Sequence, residues 1–172
     1  MGECVLTRRS VVKNEYELLA DITVSSATTQ VDITGLNLVK GEEYVLVADV
    51  NSVVTGSIVL FFNANYTATN YWIQRLQVDG TTVSGATANT PVMINAGINF
   101  AQAMTKIKLT NSGYIVFQAN SLVAYPTTTP LIYDSYGTTT FTATSITSIR
   151  IASSNPTGIG IGSRFQLYKV GA

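Results

Sequence analysis

Short strand-like segments separated by turns fill the chain from residue 17 onward, and this succession constrains the fold more than any other feature. About eight to twelve such segments follow one another at roughly regular spacing, which is typical of an all-β sandwich or barrel. No strict internal repeat is present, which argues against a propeller or a solenoid. The sequence therefore predicts an antiparallel β-sandwich over residues 17–172, preceded by a short N-terminal arm over residues 1–16.

The boundaries of most segments are marked by turn residues, such as Asp79-Gly80 and Asn111-Ser112-Gly113. Residues 81–90 are small and polar, which predicts either a long loop or a weak edge strand. Residues 96–104 are the one segment in which a helical turn is plausible. The predicted strands cover residues 18–25, 29–33, 43–50, 57–63, 71–79, 91–95, 105–111, 114–124, 131–136 and 138–144, followed by a closing hairpin over 147–170.

Charge and hydrophobicity narrow the class of partner. Ten basic and ten acidic residues cancel, so no overall field attracts nucleic acid or an anionic membrane, and copies of the chain do not repel one another. The longest apolar run, residues 57–62, is far shorter than the ~20 residues that cross a bilayer. No signal-peptide core follows Arg8 and Arg9, because charged residues interrupt the segment. We expect a protein kept in a cytoplasm, or in a particle assembled there, with no nucleic acid or membrane as partner.

The residues needed for catalysis are scarce, so we expect no enzymatic activity, no metal and no cofactor. Histidine is absent and Cys4 is the single cysteine, which removes the commonest general base and a structural zinc site. The one conceivable carboxylate pair for glycan hydrolysis is Asp49 with Asp134. The glycine-rich segment 160–163 has some likeness to a phosphate-binding loop but lacks its lysine and a following helix, so a tight turn into the last strand is the favoured interpretation.

The N-terminal segment carries a dense set of charges, including Arg8, Arg9 and Lys13. One interpretation is a frayed tail. The other is an arm that docks on a neighbouring subunit, with its basic side chains meeting carboxylates or backbone carbonyls.

Aromatic residues form the other set of candidate contacts. Tyr66, Tyr71 and Trp72 surround the polar loop 63–70, and Tyr133 and Tyr136 follow a proline-bounded bend. Exposed aromatic rings beside amides would suit a sugar-binding surface. For Trp72 the core or a subunit interface is favoured over sugar, whereas Tyr66 and Tyr136 are more evenly balanced between the two.

The closing segment carries a resemblance to a known group of proteins. Ser148-Ile149-Arg150-Ile151 and the residues from Gly162 to Lys169 resemble the C-terminal hairpins of small β-sandwich proteins from tailed-phage virions. The resemblance covers about two dozen of the 172 residues, and these residues are structural.

The resemblance implies a jelly-roll-like module, often trimeric, that decorates a capsid or forms part of a tail. On that basis the expected function is a non-enzymatic virion structural protein. It would pack in a symmetric homo-oligomer against a capsid or tail protein, with the virion as its location. The alternative is a carbohydrate-binding module that recognises a host glycan through the aromatic residues named above.

Overall fold

The structure, a computed structural model, describes residues 15–52, 54–96, 99–124 and 131–171. The described residues form twelve strands in two antiparallel sheets packed face to face, which confirms the predicted all-β sandwich. The predicted docking residues Arg8, Arg9 and Lys13 lie outside the described residues. The arm was predicted to end at Tyr16, but that residue already belongs to the first strand and pairs with Val170.

The strands in chain order are β1 Tyr16–Thr23, β2 Gln30–Leu38, β3 Glu43–Ser52, β4 Gly56–Phe62, β5 Tyr71–Asp79, β6 Thr82–Ala88, β7 Val92–Ala96, β8 Asn99–Leu109, β9 Tyr114–Ala124, β10 Leu131–Thr142, β11 Ile146–Ser153 and β12 Arg164–Val170. A single 3₁₀ turn among the described residues, Ala68–Asn70, precedes β5. The larger sheet has the order β1-β12-β3-β8-β9-β10-β5-β6, and the smaller sheet has the order β2-β11-β4-β7.

Strand alternation decides which side chains enter the core. In β8, Ile107 and Leu109 are fully buried, whereas Lys106 and Lys108 point to solvent, as their alternation predicted. The inward positions of β3 are apolar and completely covered from Tyr44 to Val50. Each large apolar side chain removed from water in this way contributes roughly 1.5–3 kcal/mol. The core therefore lies between the two sheets, and the opposite face of the larger sheet is left open.

The helical turn predicted for residues 96–104 is wrong. Ala96 belongs to β7 and residues 99–104 belong to β8, which is paired on both sides, with β3 and with β9. The small residues Ala101 and Ala103 are buried against the opposing sheet. Two complete ladders of hydrogen bonds therefore outweigh the weak local preference for a helix.

The closing hairpin predicted for residues 147–170 is also wrong. The two strands do not pair with each other, because β11 belongs to the smaller sheet and β12 to the larger. Packed sheets are separated by about 10 Å, and residues 154–163 are long enough to cross that gap. Sequence identified both strands but not their partners, since ten residues also fit a long hairpin loop.

The crossing segment 154–163 is hydrogen-bonded to both sheets. Ile159 exchanges backbone hydrogen bonds with Thr28, at N···O distances of 2.9 and 3.0 Å. The amides of Gly160 and Gly162 donate to the carbonyls of Asn51 and Val24 at 2.7 and 2.8 Å. These amides are thus committed to the fold, so the phosphate-loop interpretation is wrong and the tight-turn interpretation is confirmed.

Gly137 allows β10 to run as one strand through the core. A β-carbon at this position would lie 2.2 Å from Phe117 Cζ and 2.4 Å from Ile73 Cδ1, well inside van der Waals contact. The two short strands predicted on either side of this glycine are therefore one continuous element. Gly85 in β6 differs, because a β-carbon there would meet only the Arg75 carbonyl oxygen, at 3.8 Å.

We predict that Gly137→Ala lowers the free energy of unfolding by about 1–3 kcal/mol, because the added methyl overpacks the core. Gly85→Ala is the matched control and should leave stability unchanged or raise it by up to ~1 kcal/mol, since glycine within a strand is entropically unfavourable. Urea unfolding of both variants measures the difference. Equal stability of the two variants would contradict the packing described for Gly137.

Candidate functional site

The outer face of the larger sheet, opposite the core, carries a row of apolar side chains on four neighbouring strands. Leu122 on β9 lies opposite Ile132 on β10, which lies opposite Val78 on β5, which in turn lies opposite Val83 on β6. Ile132 is 52% exposed and Val83 is 63% exposed. Opposed side chains on adjacent strands are close enough to touch, so the row is continuous.

Two further exposed side chains extend this row into an apolar patch. Met104 on β8 lies diagonally beside Leu122, and Leu76 on β5 lies diagonally beside Ile132. The apolar patch consists of Leu76, Val78, Val83, Met104, Leu122 and Ile132. Soluble monomeric proteins rarely expose contiguous apolar surface of this kind, so the patch is a candidate interaction site.

One carboxylate lies inside the apolar patch. Asp134 stands between Met104 and Leu76 in the strand register and accepts a hydrogen bond from Asn120 Nδ2. The same face holds a shallow groove beside Ile132, bounded on its far side by Asp49. The carboxylate is thus held by a neutral amide from the neighbouring strand.

Trp72 and Tyr136 form a second feature of the outer face. Trp72 is 67% exposed, because Tyr71 and Ile73 take the inward positions of β5. Of the two places favoured for Trp72, the core is therefore wrong, and the subunit interface stays a prediction. Tyr136 is 51% exposed and lies opposite Gln74 on the adjacent strand. The two rings flank an open groove of about 520 Å³ that also includes polar side chains, namely Gln74, Thr87, Asn89 and Thr138.

Two of the predicted sugar-contacting aromatics are buried, so that role is wrong for them. Tyr133 is 3% exposed on the inward side of β10. Tyr71 is fully buried; its hydroxyl donates to the Asn65 carbonyl at 2.8 Å and accepts from the Phe62 amide at 3.0 Å. Burial raises the pKa of Tyr71 to about 12. The hydroxyl fastens the polar loop 63–70 to the end of β4.

Tyr66 is partly exposed but lies in the loop after β4, where it packs against the smaller sheet. The guanidinium carbon of Arg150 is 3.9 Å from the centroid of its ring, and Phe61 meets the ring edge-on at 5.9 Å. Arg150 also forms a bidentate ion pair with Asp32, at 2.6 and 2.9 Å, which raises the pKa of the arginine. One face of Tyr66 is therefore covered, and the ring is separate from Trp72 and Tyr136.

The suggested pairing of Asp49 with Asp134 is wrong. The two residues lie on β3 and β10, which are separated by β8 and β9. Three strand spacings amount to about 14 Å, beyond the ~5–9.5 Å that separates paired carboxylates in glycosidases. Asp49 instead accepts a hydrogen bond from Gln102 Nε2 at 2.8 Å.

Sequence reasoning did not identify the apolar patch. A usable signal is present in adjacent apolar pairs such as Leu122-Val123 and Leu131-Ile132. One member of each pair must face outward in an extended strand, and Leu122 and Ile132 are those members.

Comparison of the chain with protein-family models, with curated proteins and with solved structures finds no match. Within the described ranges, no group of three or more histidine, cysteine, aspartate or glutamate residues is placed to hold a metal ion. Among the described residues, no helix has the length and hydrophobicity required to span a membrane.

We predict that Tyr71→Phe lowers the free energy of unfolding by about 1–3 kcal/mol, because the buried Phe62 amide and Asn65 carbonyl lose their partner. Tyr136→Phe removes the same atom from an exposed ring and is the matched control, with little change expected. Chemical unfolding at neutral pH compares the two variants. An equal loss in both would contradict the fastening role of Tyr71.

Alkaline pH provides a second test of the same hydroxyl. A tyrosine pKa raised to about 12 in the folded chain contributes stability below pH ~10, where the unfolded group titrates, and this contribution disappears as pH rises towards 12. The fall in unfolding free energy over that interval should be smaller in Tyr71→Phe than in the wild type.

Proposed function

We propose that this chain is a non-enzymatic structural module that packs the outer face of its larger sheet against protein subunits in a symmetric assembly. The observation that carries the proposal is the apolar patch, defined above by its six residues. Covering it with another protein surface would remove about 25 cal/mol of unfavourable free energy per Å² of apolar area.

Two ion pairs engage charged residues on and beside β1, β12 and β3, on the side of the larger sheet away from β6. Arg164 forms an ion pair with Asp21 at 2.5 Å, and Lys169 forms one with Glu42 at 2.6 Å. These pairs lower the pKa of both carboxyls, because each carboxylate accepts hydrogen bonds from its cationic partner. Charges paired within the chain are poorly available to an ionic ligand. An apolar centre with a polar rim is the usual anatomy of a protein interface.

The proposed setting is a virion, with a capsid or tail protein as the further partner. This part of the proposal rests on the resemblance of the closing segment to phage sandwich proteins, and the homotrimer is implied by the same resemblance. Capsid decoration is the favoured task, because it requires packing surfaces and no chemistry.

We predict that Ile132→Lys lowers the mass of the protein in solution, because it places a charge at the centre of the apolar patch. Thr140→Lys, at an exposed position of the same strand, is the matched control and should keep the wild-type mass. Light scattering measures both variants. A wild-type chain that remains monomeric at every concentration would contradict self-assembly, and an unchanged mass in Ile132→Lys would exclude the patch as the contact.

A specific observation also favours a second function, the binding of carbohydrate. Trp72 and Tyr136 expose their rings on either side of Gln74, and Gln118 Nε2 donates to the Tyr136 hydroxyl at 3.2 Å. Aromatic faces can cover the apolar side of a sugar while the amides bind its hydroxyls. The groove is open enough for an extended glycan. On the proposed virion this would be a contact with the host surface.

We predict that iodide quenches the fluorescence of Trp72, the single tryptophan, because its ring is exposed. If the second function holds, a glycan that binds will also change this fluorescence, and Tyr136→Ala will weaken that binding by about tenfold or more. Tyr66→Ala, in the loop beside the smaller sheet, is the control and should bind like the wild type. Glycan binding that survives Tyr136→Ala unchanged would exclude this groove.

A further inference from the structure

Strand β6 is an edge of the larger sheet, and both of its faces are open. Among the described residues it pairs with β5 alone, and its side chains from Thr82 to Thr87 are all exposed. In an antiparallel pair every second residue directs its N–H and C=O away from the partner strand. The outer edge of β6 therefore presents a row of backbone groups that a further strand can bind.

This edge lacks the features that normally prevent pairing. Exposed edges are commonly protected by charged residues, proline or bulges, and β6 has none of these over Thr82–Ala88. The opposite edge of the same sheet, β1, carries Glu17 and Asp21. Because the whole chain has no net charge, two copies meet at β6 without electrostatic repulsion.

Gly85 at the centre of β6 has no explanation within one chain. Its backbone is not in the left-handed region, and a β-carbon would have only ordinary contact with the Arg75 carbonyl. Glycine in a strand interior costs stability and often marks the close approach of another backbone. The position lies on the outer face opposite Leu76, beside the apolar patch.

We propose that β6 pairs with β6 of a second copy of this chain, antiparallel and in register about Gly85. The inference rests on the symmetric assembly of the proposed function, since it names one contact of that assembly. A two-fold contact joins copies in pairs, so the assembly would contain an even number of copies and not the three that the resemblance implies. A two-fold axis through the Gly85 pair would oppose Val83 to Thr87 of the partner subunit, and Ser84 to Ala86 of the partner subunit. Only small uncharged side chains meet along the strand, and a two-fold axis makes the two strands antiparallel automatically.

The second copy fits this edge better than an unrelated strand does. An axis perpendicular to the sheet keeps both outer faces on the same side, so the two larger sheets become one continuous sheet. The two apolar patches then approach each other across β6, with Val83 of each copy close to the axis. The pair of glycines leaves no side chain on the outer face between the Leu76 residues of the two copies.

The test uses Gly85→Lys in the full chain. The substitution has room within one chain, so folding is preserved, but it places two ammonium groups opposite each other at the axis. We expect its mass in solution to be half that of the wild type, by light scattering or sedimentation. Ser112→Lys adds the same charge to an exposed turn and should keep the wild-type mass. An unchanged mass in Gly85→Lys, or a monomeric wild type, overturns the inference.

Charge reversal tests the register. An equimolar mixture of Gly85→Lys and Gly85→Glu should recover the wild-type mass, because position 85 opposes itself across the axis. The double variant Val83→Lys/Thr87→Glu should also assemble, whereas Val83→Lys/Thr87→Lys should not. If neither the mixture nor the Val83→Lys/Thr87→Glu variant reaches the wild-type mass, the pairing about Gly85 is wrong.

The two variants distinguish the contact through the apolar patch from the contact through β6. If Ile132→Lys reduces the mass and Gly85→Lys does not, the assembly uses the apolar patch and the β6 pairing is wrong. If Gly85→Lys alone halves the mass, the strand pairing stands and the patch is not an assembly contact.

Discussion

The fold depends on the segment that crosses from the smaller sheet to the larger one. Ile159 is fully buried between the sheets and exchanges two backbone hydrogen bonds with Thr28, while Gly160 donates to Asn51 at the end of β3. These bonds fix the separation and the relative position of the two sheets at one end of the sandwich. A β-carbon at position 160 would lie 2.7 Å from the Asn51 carbonyl oxygen, so this close approach of the two backbones requires glycine there.

The two faces of the larger sheet follow from this arrangement. The smaller sheet has four strands and the larger has eight, so β5 and β6 extend beyond the region that the smaller sheet covers. Tyr71 and Ile73 at the start of β5 are buried, whereas β6 is exposed on both faces. The same overhang places the apolar patch, the groove beside Trp72 and the free edge on one side of the molecule. Packing and strand pairing can therefore use neighbouring surfaces.

Local patterns in the sequence predicted the fold class and most strands. They failed where the result depends on which strands pair and which face of a strand the other sheet covers. The alternation of Ile107 and Leu109 with lysines is a property of one strand and was interpreted correctly. Tyr71 and Trp72 are neighbours in β5 and face opposite sides of the sheet. Deciding which of the two is buried required knowing which face of β5 the core covers. Thr105 and Ser135 show the same limit: hydroxyl-bearing side chains ordinarily favour solvent, yet both are buried, and their hydroxyls have no hydrogen-bond partner among the described residues. The placement of β11 and β12 in different sheets depends on contacts with strands far away in the sequence, so local spacing does not predict it.

The pairing of β1 with β12 ties the beginning of the sandwich to residues near its other end. Tyr16 lies opposite Val170, and β12 also separates β1 from β3, so neither of those strands has its complete ladder until β12 is in place. During synthesis the ribosome must therefore release residue 170 before this side of the larger sheet can close. Until then two strands retain open edges in a crowded cell. Closure of such distant contacts is slow, and the interval before closure is the period in which nascent chains of this kind most need a chaperone.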